Sequence, residues 1–97
     1  MDHERRSNRV DQQASEMSLR AGLALSGLSH DQLWLRCLAV GGTFSRDELE
    51  AALSGQRWLT TYEHDVIAQA LNDYFVERGQ NHPVAYADEL TPDEGDR

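Results

Sequence analysis

The sequence lacks lysine and has little cysteine or proline, and these absences exclude several classes of protein. Its 97 residues include one Cys and two Pro. A single Cys cannot form an internal disulfide, and it makes a Cys-based zinc site implausible. All nine cationic side chains are Arg. Arg and Lys serve equally well on most solvated surfaces, so no physical requirement explains this bias. It is typical of the codon usage of a GC-rich bacterial genome.

Long apolar runs and surplus positive charge are also missing. The longest stretch without a charged residue, 21–30, contains two Gly and two Ser and is much shorter than the roughly 20 apolar residues of a membrane span. The net charge of −8 disfavours non-specific binding to nucleic acid or anionic membranes. No apolar segment follows the first six residues, so no secretory signal is visible, and the lone thiol adds to the case for a cytoplasmic protein.

Local signals divide the chain into helices. The Ser/Thr-x-x-Glu/Gln capping box, in which the hydroxyl and the later side chain each accept a hydrogen bond from a free backbone N–H, occurs at 29–32, 45–48 and 60–63. Glycines, which close helices in the left-handed conformation, follow the helix-like stretches at Gly27, Gly41, Gly55 and Gly79. The sequence therefore predicts an all-α fold, a compact four-helix arrangement with helices at about 11–26, 30–40, 46–54 and 61–78.

Apolar spacing predicts which helix faces are buried. The second helix is apolar nearly all round and is expected to be the central buried element. The fourth helix is amphipathic. Its apolar stripe is predicted to consist of Tyr62, Val66, Ile67, Ala70, Leu71, Tyr74 and Phe75, and its polar face of Glu63, Asp65, Gln69, Asn72, Asp73 and Glu77. The apolar positions of the first helix are Ala14, Met17, Ala21, Ala24, Leu25 and Leu28, with Leu19 and Leu23 beside them. Polar composition at both ends predicts a flexible arm at 1–10, a helical domain at 11–79 and a flexible acidic tail at 80–97.

No group of residues predicts catalysis or metal binding. Cys37 lies among apolar residues and is interpreted as a small buried hydrophobe rather than a nucleophile. No two of the four histidines lie within helical reach of each other, and His30 and His64 are interpreted as solvated residues in first helical turns. We therefore predict no catalytic, cofactor-binding or metal-binding residue, and we predict that the protein is not an enzyme.

The small core points to contact with a partner. A domain of about 70 residues gains only roughly 3–5 kcal/mol from one core, so self-association or docking of residues 82–90 would add stability. Trp58 lies in a polar connector. The favoured interpretation is that its ring packs over the edge of the core, and the alternative is that it anchors an interface with a partner. Tyr86 lies in a short apolar-acidic segment that could bind its own bundle or another protein. The candidate interaction residues are Trp58, Tyr62, Tyr86, Asp88 and Glu89.

These observations favour a small acidic, non-enzymatic protein that acts through protein–protein contact as an accessory or regulatory factor. The predicted partner is another protein, with a basic surface as the hypothesis from charge complementarity, and the chain is expected to form a homodimer. The alternative is a helix-turn-helix-like DNA-binding transcriptional regulator that uses 46–54 and 61–78. The acidic side chains of those helices would repel the DNA phosphates. The alternative depends mainly on Arg5, Arg6 and Arg9, which could form a basic arm.

Overall fold

A computed structural model describes residues 11–81 and 83–90. In these residues the chain forms no strand and five helices: α1 (Gln12–Ser26), α2 (His30–Ala39), α3 (Arg46–Leu53), α4 (Thr61–Glu77) and α5 (Ala87–Leu90). The all-α prediction is confirmed, and the bounds of the four longer helices lie within one residue of those expected. The predicted arm at 1–10 and the last seven residues of the predicted tail lie outside the described residues.

The capping signals act as the sequence predicts. All three boxes form, at the N-caps Ser29, Ser45 and Thr60 of α2, α3 and α4. At Ser45, for example, the hydroxyl accepts from the Glu48 N–H at 3.0 Å, and the Glu48 carboxylate accepts from the Ser45 N–H at 2.8 Å. The four helix-ending glycines all have positive φ, between 74° and 101°. Local chemistry therefore determines where these helices begin and end.

The central element is α4 and not α2, so this part of the prediction was wrong. Helix α4 packs against α1, α2 and α5 and buries eight of its residues. Helix α2 buries only Leu33 and Cys37, while Leu35 and Leu38 remain exposed. The apolar composition of α2 indicates how hydrophobic the helix is, but the number of neighbours it acquires depends on the packing of the whole chain.

Helix α1 faces the core with a different side from the one predicted. Its buried residues are Ser15, Leu19, Gly22 and Ser26, whereas Met17 is 61% and Leu25 is 71% exposed. Small residues are required on the buried side of α1 because side chains from other parts of the chain approach the helix closely there. A Cβ atom at Gly22 would lie 2.6 Å from a methyl carbon of Val84 and 3.2 Å from a methyl carbon of Leu71. Close packing, rather than maximal burial of large side chains, therefore selects this face.

Candidate functional site

Residues 83–90 dock on the helical bundle. Val84 and Ala87 are buried, and α5 packs against both α1 and α4. The sequence left open whether the segment binds its own bundle or another protein. The structure shows that 83–90 binds its own bundle and is not the free tail that its composition predicts.

Asn72 holds the start of the docked segment. Its side-chain amide donates to the Val84 carbonyl at 2.9 Å and accepts from the Val84 N–H at 2.9 Å, and both bonds are buried. Gln12 makes the same paired contact with the backbone of Leu59, at 2.9 and 2.8 Å. Each side-chain amide thus satisfies both backbone groups of one residue, which allows an irregular segment to be buried against a helix.

His64 holds the middle of the segment, and the expectation that it is solvated was wrong. The ring is 0% exposed. Its Nε2 lies 2.9 Å from the Ala85 carbonyl oxygen, which can only accept, so Nε2 donates. In the neutral ring Nδ1 then accepts from the Ser15 hydroxyl, at 2.6 Å. The imidazole therefore links α1, α4 and the docked segment by hydrogen bonds.

The Ser15–His64 pair has the distance of a nucleophile and its base, but not the accessibility. Both side chains are fully buried, so a substrate cannot reach the hydroxyl. Ser15 does line an open pocket of about 240 Å³ beside Arg57 and Trp58, but its hydroxyl lies inside the bundle, where it bonds to His64. We interpret the pair as a structural link.

Trp58 is 74% exposed, so the favoured interpretation, packing over the core edge, was wrong. Its neighbour Leu59 is buried and anchors the connector to Gln12. Tyr62, in the first turn of α4, is also exposed, and its hydroxyl donates to the Gly41 carbonyl at 3.1 Å. The two aromatic residues therefore lie on the outside of the bundle, on either side of the start of α4.

The other three candidate residues lie on the docked segment beside the first turns of α4. Tyr86 is half-buried and packs against the core, whereas Asp88 and Glu89 are exposed. The segment is attached here because Asp65 accepts from the Ala87 N–H at 2.7 Å. Trp58 and Tyr62 thus flank the start of α4 along the chain, and the other three candidates lie beside the residues that bond to His64 and Asp65. We refer to Trp58, Tyr62, Tyr86, Asp88 and Glu89 as the aromatic surface.

The Arg that precedes Trp58 in the chain is paired with a carboxylate. Arg57 donates to both carboxylate oxygens of Glu63, at 2.9 and 3.3 Å. Burial by itself raises the pKa of Glu63, but the hydrogen bonds from Arg57 and Thr60 outweigh it and hold the pKa below its usual value. Glu63 therefore stays ionised and neutralises Arg57, while Asp88 and Glu89 add exposed carboxylates on the docked segment.

No family model, curated protein or solved structure matches this chain. Among the described residues there is no group of three or more His, Cys, Asp or Glu that could hold a metal ion. In the same part of the chain no helix is long and apolar enough to cross a membrane.

Cys37 is buried as predicted, and burial raises the pKa of its thiol to about 12. We expect the native protein to resist labelling by a thiol-specific reagent near neutral pH, because the thiolate is the reactive form. In denaturant, one thiol per chain should react at the rate of a free cysteine. Comparing the two rates by absorbance checks this prediction, and equal rates would contradict it.

Sequence reasoning missed the anchors of the docked segment. The available signal was the spacing of His64, Ala68 and Asn72, which places two hydrogen-bonding side chains and a small residue on one side of α4. The sequence instead predicts that His64 is solvated, because it lies in a first helical turn, and that Asn72 belongs to the polar face of the helix. A polar side chain can be buried when it finds a backbone partner, and that partner lies far along the chain.

Proposed function

We propose that this protein is a non-enzymatic accessory or regulatory factor that acts by binding another protein through the aromatic surface. The observation that carries the proposal is the exposure of Trp58. A tryptophan offers roughly 150–250 Å² of surface for burial, which at about 25 cal/mol per Å² is worth several kcal/mol to a complex. Exposed tryptophans are enriched among the residues that dominate binding energy at protein interfaces.

The surroundings of Trp58 indicate the chemistry of the partner. Tyr62 adds a second exposed ring, and Asp88 and Glu89 add negative charge on the docked segment. A complementary surface would have an apolar pocket for the indole with Arg or Lys side chains at its rim. We therefore propose a protein partner with a basic surface.

Two further features support this proposal over the other classes of function. The pair that most resembles catalytic machinery, Ser15 and His64, is buried, which supports a non-enzymatic role. The cytoplasmic location remains our proposal and is supported by the single unpaired Cys37. The DNA-binding alternative is disfavoured because α4 contains four acidic residues and no Arg or Lys, whereas a recognition helix needs donors for phosphates and bases.

Substitution of Trp58 by Ala should weaken partner binding without damage to the fold. Wild type, Trp58→Ala and the matched control Val76→Ala, which removes another exposed apolar side chain, would be immobilised as full chains and exposed to extract of the native cells. At least one protein should be captured about tenfold less by Trp58→Ala than by the other two, a loss of about 1.4 kcal/mol of binding free energy. Quantitative mass spectrometry measures this ratio.

Circular dichroism and thermal melting should show that both variants fold like the wild type. If every captured protein binds Trp58→Ala as well as wild type, the proposed surface is wrong. The same immobilised chains would be tested with duplex DNA at about 50 mM salt, where a DNA-binding protein is retained and then released as salt rises. Such retention would favour the regulator alternative.

A further inference from the structure

Helix α1 has a second apolar stripe that the bundle leaves uncovered. Ala14 is half-buried, and Met17, Ala21 and Ala24 are exposed. We call these four residues the α1 seam, and Leu25, 71% exposed, lies beside it. The buried residues Ser15, Leu19, Gly22 and Ser26 lie on the opposite side of the helix.

The spacing of the α1 seam is that of a helix which packs against another helix. Its residues follow one another at intervals of three, four and three, which is the 3.5-residue repeat of apolar positions in paired helices. A helix that contacts its bundle through one side needs only one apolar stripe. The second stripe therefore indicates a second helix outside the described chain.

Charge opposes a second copy of this chain less at the α1 seam than at the acidic face of α4. Two copies with a net charge of −8 each repel one another least where the surface is neutral. The only charged residues of α1, Glu16 and Arg20, form an ion pair at 2.9 Å. Helix α4, by comparison, has four acidic residues and no basic one.

The α1 seam is also complementary to itself. Consider two copies of α1 that pack antiparallel, with the twofold axis passing at the level of Leu19 in the middle of the helix. In this pair Met17 lies opposite Ala21 of the second copy. Ala14 then lies opposite Ala24 of the second copy. The larger side chain thus meets a small one, which is the arrangement that fills a helix–helix interface. We propose that this protein forms an antiparallel homodimer through the α1 seam.

The size of the seam sets the strength of the dimer. A helix of 15 residues is about 22 Å long and about 10 Å wide, so its face has a projected area of about 220 Å². Stable interfaces bury about 800 Å² per partner. An open groove of about 690 Å³ between α1 and α3 lies beside the seam, but Arg20, His30 and Glu50 line it together with Leu23, Leu28 and Leu53. The dimer should therefore be weak and dependent on concentration.

Sedimentation equilibrium of the full chain tests the proposal. The wild type should change from 11.0 kDa towards twice that mass as its concentration rises from about 5 to about 500 µM. Ala21→Glu should weaken dimerisation at least about tenfold, because it buries two like charges in the interface. Met17→Gln should also weaken it, and it keeps nearly the same helix propensity.

Ala39→Glu is the matched control. Ala39 is exposed in the last turn of α2, beside the exposed Leu35 and Leu38, so the same substitution tests the other uncovered apolar face. It should dimerise like the wild type. The proposal is overturned if the wild type stays at 11.0 kDa throughout, if Ala21→Glu has no effect, or if only Ala39→Glu prevents dimerisation. None of these results bears on Trp58, so the proposed function is tested separately.

Discussion

Replacing Asn72 with alanine should lower the free energy of unfolding by about 2–4 kcal/mol, because two buried backbone groups lose their partners together. The Val84 N–H and carbonyl both bond to this side chain. An unsatisfied buried donor or acceptor costs about 1–3 kcal/mol, and water can replace the amide only if the segment moves away from α4. Urea denaturation of the full chain measures the loss.

Gln69→Ala is the control for this experiment. Gln69 is on the same helix, one turn before Asn72, but its side chain is exposed, so its removal should change stability by less than about 0.5 kcal/mol. Hydrogen exchange gives a second measurement, since the Val84 amide should lose its protection in Asn72→Ala alone. Equal stability of the two variants would show that the docked segment contributes little to the fold.

Replacing His64 with leucine should destabilise the fold by about 2–4 kcal/mol, because the Ser15 hydroxyl and the Ala85 carbonyl lose a buried partner. Ser15→Ala should cost about 1–2 kcal/mol, since it leaves Nδ1 of His64 unsatisfied. The double variant should be more stable than the sum of the two losses predicts. Only the Ala85 carbonyl remains without a partner when both side chains are apolar.

A double-mutant cycle measured by chemical denaturation checks this prediction. The coupling free energy between Ser15 and His64 should be about 1 kcal/mol or more, as expected for residues in direct contact. Additive losses, within about 0.5 kcal/mol, would show that the 2.6 Å contact is not a stabilising hydrogen bond. The cycle thus tests the structural role of a pair whose geometry resembles a catalytic one.

The exposed aromatic residues show how far sequence reasoning reaches at the candidate site. Trp58 could be chosen as a candidate because a large ring in a polar connector is unusual. Its exposure could not be predicted, since Trp58 has a buried neighbour, Leu59, in the same short connector. Which of two adjacent apolar side chains is buried depends on where Gln12 holds the backbone.

The helices and their ends were determined by the sequence alone. A capping box such as Ser45–Glu48 works within four residues, and a glycine such as Gly55 closes a helix through its own backbone, so both act without distant contacts. Only the tertiary structure decided which sides of α1 and α2 are buried and that His64 and Asn72 bind 83–90. These outcomes depend on close approach at Gly22 and on partners up to 49 residues away, which a local pattern does not encode.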